Sequence, residues 1–417
     1  MERAKLIVKN FGPLKDIDIE VREMVTFIGA QASGKSTLAK LISILEDENF
    51  RRNSKITFEE ELNKYNMKSF LNDETIINYS KGDYSFTFKN HEYSKTNPRE
   101  LIKEQFVDFL KNSKSNEEKN NEFKNLLKHD LISNWKNQFK PQIVNDIFKK
   151  LNDYFNDGTK SYEIPIVDFF HYYETILTQY GINIKFDSLY IPSERNFLHL
   201  IAENTLGLIN NNVRIPKHLL EIGQEYEKAI HTIKELPLTI INKNFKYKRE
   251  GKTSYIYHNE NEKVDLLESA SGLQSIIPIL LLVEYSKTLK EEYNFNFVVE
   301  EPELNLYPKA QHLLTQYLIK NCLFDKKNLI LTTHSPFVLA SINNLLLAYD
   351  KGQTNPKEVN KIIKKESWLN PKNFIAYELK NGKANKIMND KLGQISENMI
   401  DGVSDAFANE FDKLLDL

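Results

Sequence analysis

Apolar and polar positions alternate from the start of the chain. Leu6, Val8 and Phe11, then Ile17, Ile19 and Val21, predict two short strands around a Gly12-Pro13 turn. Residues 25–28 are continuously apolar apart from Thr26, the pattern of a strand buried on both faces. From Thr37 to Leu45 the period becomes helical. Tyr84, Phe86 and Phe88 alternate in a predicted hairpin over 75–93, turning at Lys81-Gly82-Asp83. From about 97 to 180 the chain is rich in Lys, Asn, Asp and Glu, with aromatics at helical spacing (Phe106, Phe109, Phe123, Trp135, Phe139), and predicts a helical insertion. A strand at 186–191, a helical stretch over 196–236, and strands around 238–247 and 254–257 follow. Residues 272–348 read helix, strand, helix, strand, helix. A Lys-rich linker after Asp350, a hairpin turning at Asn381-Gly382 and a helix over 403–417 complete the pattern.

With 41% hydrophobic and 27% charged residues in 417, the chain has material for a large core, which excludes a disordered or fibrous protein. Lys and Arg number 56 against 58 Asp and Glu, a formal charge of -2. That balance argues against coating nucleic acid by bulk charge and leaves only local basic stripes, such as Lys243, Lys246, Lys248 and Arg249, or Lys361, Lys364 and Lys365. The lone Cys322 excludes a disulfide framework and a multi-cysteine zinc site. The first residues lack an apolar signal core, and the longest apolar run, 276–283, contains Pro278 and is too short to span a bilayer. The expectation is a cytoplasmic protein with no membrane partner.

Gly29, Ala30, Gln31, Ala32, Ser33, Gly34, Lys35 and Ser36 form a complete G-x-x-x-x-G-K-S/T loop between the buried strand and the helix that opens near Thr37. Average composition would place this pattern by chance in about one such chain in a hundred. Its glycines let backbone N–H groups close on phosphate oxygens, and the helix behind adds its positive end. Lys35 is expected to neutralise the β- and γ-phosphates, Ser36 to ligate Mg2+, and Thr37 to complete the nucleotide-binding set, so ATP and Mg2+ are the expected cofactors.

Residues 295–302 form a strand ending in Glu300 and Glu301. Successive side chains on a strand point to opposite faces, so the two carboxylates take different work: Glu300 in the metal shell, Glu301 polarising the attacking water. Another apolar strand, 328–332, ends in Thr333-His334-Ser335-Pro336. A His there can hydrogen-bond a γ-phosphate and register its loss. The catalytic candidates are Glu301, His334 and Lys35.

These motifs, with Ala270-Ser271-Gly272-Leu273-Gln274 between them, stand in the order found in ABC-type ATPases. The chain resembles the branch containing Rad50, RecF and the OLD-like proteins. Residues 270–274 resemble the LSGGQ signature loop, although Leu273 replaces its second glycine. Glu300-Glu301-Pro302-Glu303-Leu304-Asn305-Leu306-Tyr307-Pro308 is similar to the E-E-P-E-x-x-L-x-P run of OLD-like ATPases, and Thr333 to Pro336 to their switch-histidine segment. No Gln marks a Q-loop. The positional candidate is the end of 189–195, where Glu194 or Arg195 either approaches the nucleotide or forms a plain ion pair.

The resemblance covers roughly 1–95 and 240–417 and implies an α/β P-loop head: a mixed sheet flanked by helices, an antiparallel β subdomain and a helical insertion. Expected divisions are 1–95, with the phosphate loop; 96–184, the insertion; 185–239, a strand plus helical lobe; and 240–417, with signature, acidic strand and switch His. It further implies a head-to-tail homodimer around two ATP molecules, in which Ser271, Gly272 and Gln274 contact the partner's nucleotide. The insertion is too short for a long coiled coil and lacks a CxxC hook. The acidic run at Asp401, Asp405, Asp412 and Asp416 reads as the solvated face of an amphipathic helix, and no second catalytic module is expected. The chain is therefore similar to the stand-alone ATPases of Septu, PARIS and retron-associated anti-phage systems. There a separate nuclease or toxin does the damage, held here through the insertion or the region of Phe169 to Tyr173. The alternatives are a RecF-type ATPase binding duplex DNA across the dimer, and a module in which ATP is mainly structural.

Overall fold

The computed structural model describes residues 3–52, 55–82, 84–96, 185–202, 214–289, 293–323 and 328–416. The helical insertion and the Phe169 to Tyr173 region expected from sequence lie outside the described residues. One compact unit comprises Met1–Lys95, Phe186–Leu289 and Phe295–Leu417, and a second comprises Thr96–Lys185 and Lys290–Asn294.

The first unit is built on strands β1 (Ala4–Phe11), β2 (Leu14–Val21), β3 (Met24–Gly29), β4 (Ile76–Lys81), β5 (Tyr84–Lys89), β6 (Glu92–Thr96), β7 (Lys185–Ile191), β8 (Glu235–Pro237), β9 (Lys246–Glu250), β10 (Thr253–Tyr257), β11 (Lys263–Asp265), β12 (Tyr293–Glu300), β13 (Leu329–Thr332), β14 (Phe374–Lys380) and β15 (Lys383–Lys386). Its main helices are α1 (Lys35–Glu46), α2 (Lys217–Thr232), α3 (Ser271–Ser286), α4 (Pro308–Cys322), α5 (Pro336–Gly352) and α6 (Met399–Leu415).

Among the described residues, eleven strands form one sheet in the order β6-β5-β4-β1-β2-β15-β14-β3-β13-β12-β7. Its centre is parallel (β14, β3, β13, β12), whereas β1 pairs antiparallel with both β2 and β4. This is the mixed α/β fold expected from sequence. A separate antiparallel sheet holds β11-β10-β9-β8. The alternation read in β1 and β2 is the inward face: Leu6, Val8, Phe11, Ile17, Ile19 and Val21 are all buried. Every residue of β3 is buried because strands flank both edges and the sheet is covered on both faces. Helix α1 packs Leu38, Leu41, Ile42 and Leu45, one helical stripe, into the same core.

Some boundaries differ from the expectation. The helical stretch does not run to 236: α2 stops at Thr232, and Glu235–Pro237 is strand. Residues 238–244 are a turn, not a strand, because Ile241 and Asn242 N–H groups bond back to Leu238 O and the Asn242 side chain accepts from Asn244 N. Part of the Lys-rich linker folds as the short helix Pro356–Ile362, started by a proline at its first turn. The terminal hairpin is not an appendage, since β14 lies beside β3 in the middle of the sheet. Helix α6 begins at Met399, four residues early, behind an Asn398/Asp401 capping box. Its aspartates are exposed as expected, and so are Val403, Phe407, Phe411, Leu414 and Leu415.

The end of α1 is pinned by a buried charge cluster. Glu46 is 2% exposed and meets Lys81 at 2.6 Å, Arg51 at 3.2 Å, the Tyr79 hydroxyl, and the Asn328 amide at 3.2 Å. Burial alone would raise its pKa, but Lys81 and Arg51 more than reverse that and hold it at about 2. Because the folded value lies below the unfolded one, this stabilisation is complete above pH ~4.5 and is lost as pH falls toward 2; it amounts to about 3 kcal/mol. Urea midpoints measured from pH 5 to 2.5 should therefore fall more steeply for the native chain than for Glu46→Gln. Equal slopes would remove Glu46 from the acid response.

Candidate functional site

The parallel strands deliver their C-terminal ends to one edge of the sheet. Thr332 pairs with Glu300 on one side and Phe27 on the other, so the ends of β12, β13 and β3 are neighbours. Open parallel sheets bind ligands at this edge.

The phosphate loop leaves β3 there. Ala30, Gln31, Ala32 and Ser36 are exposed, Ser33 and Thr37 are half-buried, and Gly34 and Lys35 are buried. Gly34 has φ +99°, and a Cβ on it would sit 2.8 Å from Leu14 Cδ2, so only glycine fits without strain. Ala32 also adopts a left-handed φ of 60°, which the spacing alone did not disclose. Helix α1 starts with no side-chain cap and no acidic residue in its first turn, which leaves its first N–H groups directed at the loop. Lys35 Nζ donates to Gly29 O at 2.9 Å and Ala30 O at 3.0 Å, curled along the loop. Burial draws its ammonium below the usual lysine value, against the pull of Glu301, Glu300 and Glu303.

The two carboxylates occupy unlike surroundings. Glu300, the last residue of β12, is 3% exposed, and its Oε1 is buried without a hydrogen-bond partner. An orphaned buried carboxylate oxygen fits a site that takes a cation. Tyr190 lies close enough for the charge on Glu300, after burial, to raise its phenol well above the ordinary value. Glu301 has left the strand: its φ is +42°, its N–H bonds Thr332 O at 2.9 Å, and its side chain is half-buried.

His334 Nε2 stands 3.5 Å from Glu301 Oε1. Burial and Lys35 push its pKa down, Glu301 pulls it up, and the net shift is downward, so the imidazole is neutral at pH 7. Its loop is set by Glu303, whose Oε1 accepts from Thr333 Oγ1 at 2.7 Å and from His334 N at 2.8 Å. Ser335 caps α5 by accepting from Phe337 N and Val338 N, and donates to Gln311 on α4 at 2.5 Å. Sequence reasoning quoted Glu303 without giving it this role. Its signal was a third carboxylate two residues past Glu301.

The signature candidate reaches the same region. Ser271 is exposed at the uncapped start of α3. A Cβ on Gly272 would lie 2.6 Å from Asn305 O, so the glycine lets the loop of 303–307 pass against α3. Gln274 turns back to donate to Leu267 O and Ser269 O at 2.8 and 2.9 Å, bracing the loop from behind. Nearby in the chain, Tyr307 is 77% and Phe337 49% exposed.

Arg195 follows neither sequence reading. It is fully buried and donates to four carbonyls, while Glu194 is exposed and accepts from Ser193 Oγ. Several basic candidates are engaged locally: Lys246 with Glu235, Lys248 with Glu250, and Lys361 with Glu358, while Arg249 is buried.

Residues 1–339 match the AAA ATPase domain family, a span that takes in the phosphate loop, the acidic strand and the switch-His segment. The chain belongs to that family. No curated protein matches it. Solved structures similar to this ATPase-domain chain include the SMC head domain from Thermotoga maritima, 11% identical with a TM-score of 0.38, covering 93% of this chain and 98% of that one. The Smc head domain from Pyrococcus furiosus, bound to the C-terminal domain of ScpA, is 10% identical with a TM-score of 0.34, covering 93% and 96%. The recombination mediator RecF of the RecFOR pathway is 14% identical with a TM-score of 0.32, covering 93% and 99%. Likenesses this loose bear on no residue of the site. No described helix is long and apolar enough to cross a membrane.

Proposed function

We propose that this chain is an ATP-hydrolysing, ABC-type head that closes head-to-tail on a second copy around two Mg-ATP. The observation that carries the reading is the convergence, at one sheet edge, of the phosphate loop, an orphaned buried Glu300 oxygen and a Glu301–His334 pair. Ser36 and Glu300 would hold Mg2+, which when bound neutralises charge building on the phosphates. Lys35 leaves its loop carbonyls for phosphate oxygens. Glu301 orients a water and accepts its proton, and neutral His334 hydrogen-bonds the γ-phosphate end. Ser271, Gly272 and the free N–H groups at the head of α3 serve the partner's nucleotide.

Complementation tests the composite site. Gly272 is a poor target because any side chain meets Asn305 O, whereas exposed Ser271 can be changed without disturbing the core. Ser271→Arg and Lys35→Ala should each be at least about 100-fold less active alone. Mixed, they should regain a substantial fraction of turnover, because one heterodimer site joins an intact phosphate loop to an intact signature. A mixture no better than its components would overturn head-to-tail closure.

We further infer that the head controls a separate nuclease or toxin subunit in an anti-phage system. The likeness of its E-E-P-E-x-x-L-x-P run to that of OLD-like ATPases supports this reading, and the local ion pairs of Lys246, Lys248 and Lys361 weigh against duplex DNA as the partner. Pull-down of a Glu301→Gln protein in Mg-ATP, expressed with its chromosomal neighbours, should retain that subunit in stoichiometric amount. Recovery of salt-releasable duplex DNA alone would replace the defence reading with a repair one.

A further inference from the structure

Helix α3 carries Pro278 in its interior. A proline has no N–H and crowds the preceding turn, so carbonyls there lose their helical donors. The carbonyl four residues back is Gln274 O, and it is taken by His199 Nε2 at 2.8 Å. The next carbonyl, Ser275 O, is taken by Arg195 Nε at 2.9 Å. The His199 ring is held in the donating tautomer. Tyr226 OH lies 2.8 Å from its Nδ1, so Nδ1 accepts while Nε2 donates, and burial lowers its pKa to about 4. The segment after β7 is thus seated against the turn preceding Pro278 in the helix that begins with the signature loop.

The other end of Arg195 faces the acidic strand. Nη1 donates to Glu300 O at 2.8 Å and to Pro192 O at 3.2 Å, and Nη2 donates to Glu301 O at 2.8 Å. None of the four acceptors is a carboxylate, so a buried cation is committed to backbone carbonyls. Two of those carbonyls flank the turn at which Glu301 adopts φ +42°, a conformation disfavoured for any residue with a Cβ. A planar guanidinium spreads five N–H donors over three nitrogens and so reaches all four carbonyls, which the compact three-donor ammonium of a lysine cannot span.

We propose that Arg195 is the positioning residue for Glu301: its guanidinium holds the left-handed turn that aims the carboxylate, and anchors that turn to the α3 turn before Pro278. The inference rests on the reading of Glu301 as the water-activating group. It also makes α3, which carries Ser271 toward a second copy, rigid with the chemistry of its own chain.

The test compares native protein, Arg195→Lys and Glu301→Gln for steady-state hydrolysis, fluorescent-ATP affinity and thermal midpoint. Arg195→Lys should turn over at least about 30-fold more slowly, with ATP affinity within about threefold of native, because the phosphate loop is untouched. A purely structural role would instead weaken affinity and turnover together, and that result would overturn the proposal. So would native turnover in Arg195→Lys alongside an inactive Glu301→Gln. An active Glu301→Gln would sink the reading of Glu301 itself, whatever Arg195 does. If Arg195→Lys does not fold, Pro278→Ala takes its place: the restored helical N–H reclaims Gln274 O from His199, loosens the Arg195 segment from α3, and should lower turnover about tenfold at unchanged affinity. Native turnover in that variant would overturn the anchoring.

Discussion

Glu301→Gln is expected to bind Mg-ATP as the native chain does while hydrolysing it about a thousandfold more slowly or less. The amide keeps the shape of the carboxylate and its place beside His334, 3.5 Å away, but it cannot accept a proton from water. General-base removal costs about 100- to 10,000-fold. Glu300 and the phosphate loop are unchanged, so affinity has no reason to fall. With the γ-phosphate retained, the closed dimer should persist, visible as an ATP-dependent doubling of mass in light scattering. Near-native turnover in this variant would reassign the base, and Glu303 is a poor substitute because both bonds to its Oε1 come from the His334 loop.

Lys35→Ala should act one step earlier and lose ATP. Lys35 is 5% exposed, and its ammonium already sits on two loop carbonyls, Gly29 O and Ala30 O. Moving from neutral carbonyls to anionic phosphate oxygens replaces ion–dipole hydrogen bonds with bonds between full charges, each worth roughly 1.5–3 kcal/mol. Two such bonds correspond to a loss of about 100-fold or more in affinity, measurable by calorimetry. The same substitution removes two side-chain hydrogen bonds, so the fold should lose about 1–3 kcal/mol. Undiminished affinity would remove the phosphate-loop assignment.

What could be read in advance was what local pattern encodes. Strand β3, helix α1 and the series α3, β12, α4, β13, α5 each announce themselves by period and by flanking glycine, proline or acidic residues. The phosphate loop was legible because its spacing is chemically constrained. Glu300 and Glu301 were separable because neighbours on a strand point apart, and the structure buries one and half-exposes the other. Contacts between distant segments left no such mark. Nothing near Glu303 says that it receives the N–H of His334, and nothing near Arg195 says that its partners are carbonyls of Ser275, Glu300 and Glu301. A Glu-Arg dipeptide suggests an ion pair, whereas the guanidinium turns inward to carbonyls of α3 and of the acidic strand end. The turn at 238–244 was missed for another reason: its apolar residues mimic a strand, while its asparagines close it locally.

The pairing of β14 with β3 joins Phe374 to Met24 and Leu379 to Gly29, partners 350 positions apart. At about 5–20 residues per second of synthesis, strand β3 emerges from the ribosome roughly 20 to 70 s before the strand that covers one of its edges. For most of that interval the nascent chain carries an apolar strand with both edges open, since its other neighbour, β13, is also made late; such a surface is the kind that chaperones occupy. The family match stops at residue 339, so a fragment cut at that boundary would keep every recognisable motif and still lack β14. Gly29, the first residue of the phosphate loop, lies against the carbonyl of Leu379. The phosphate loop, made early, therefore gains its backing late in biosynthesis, when β14 closes against β3.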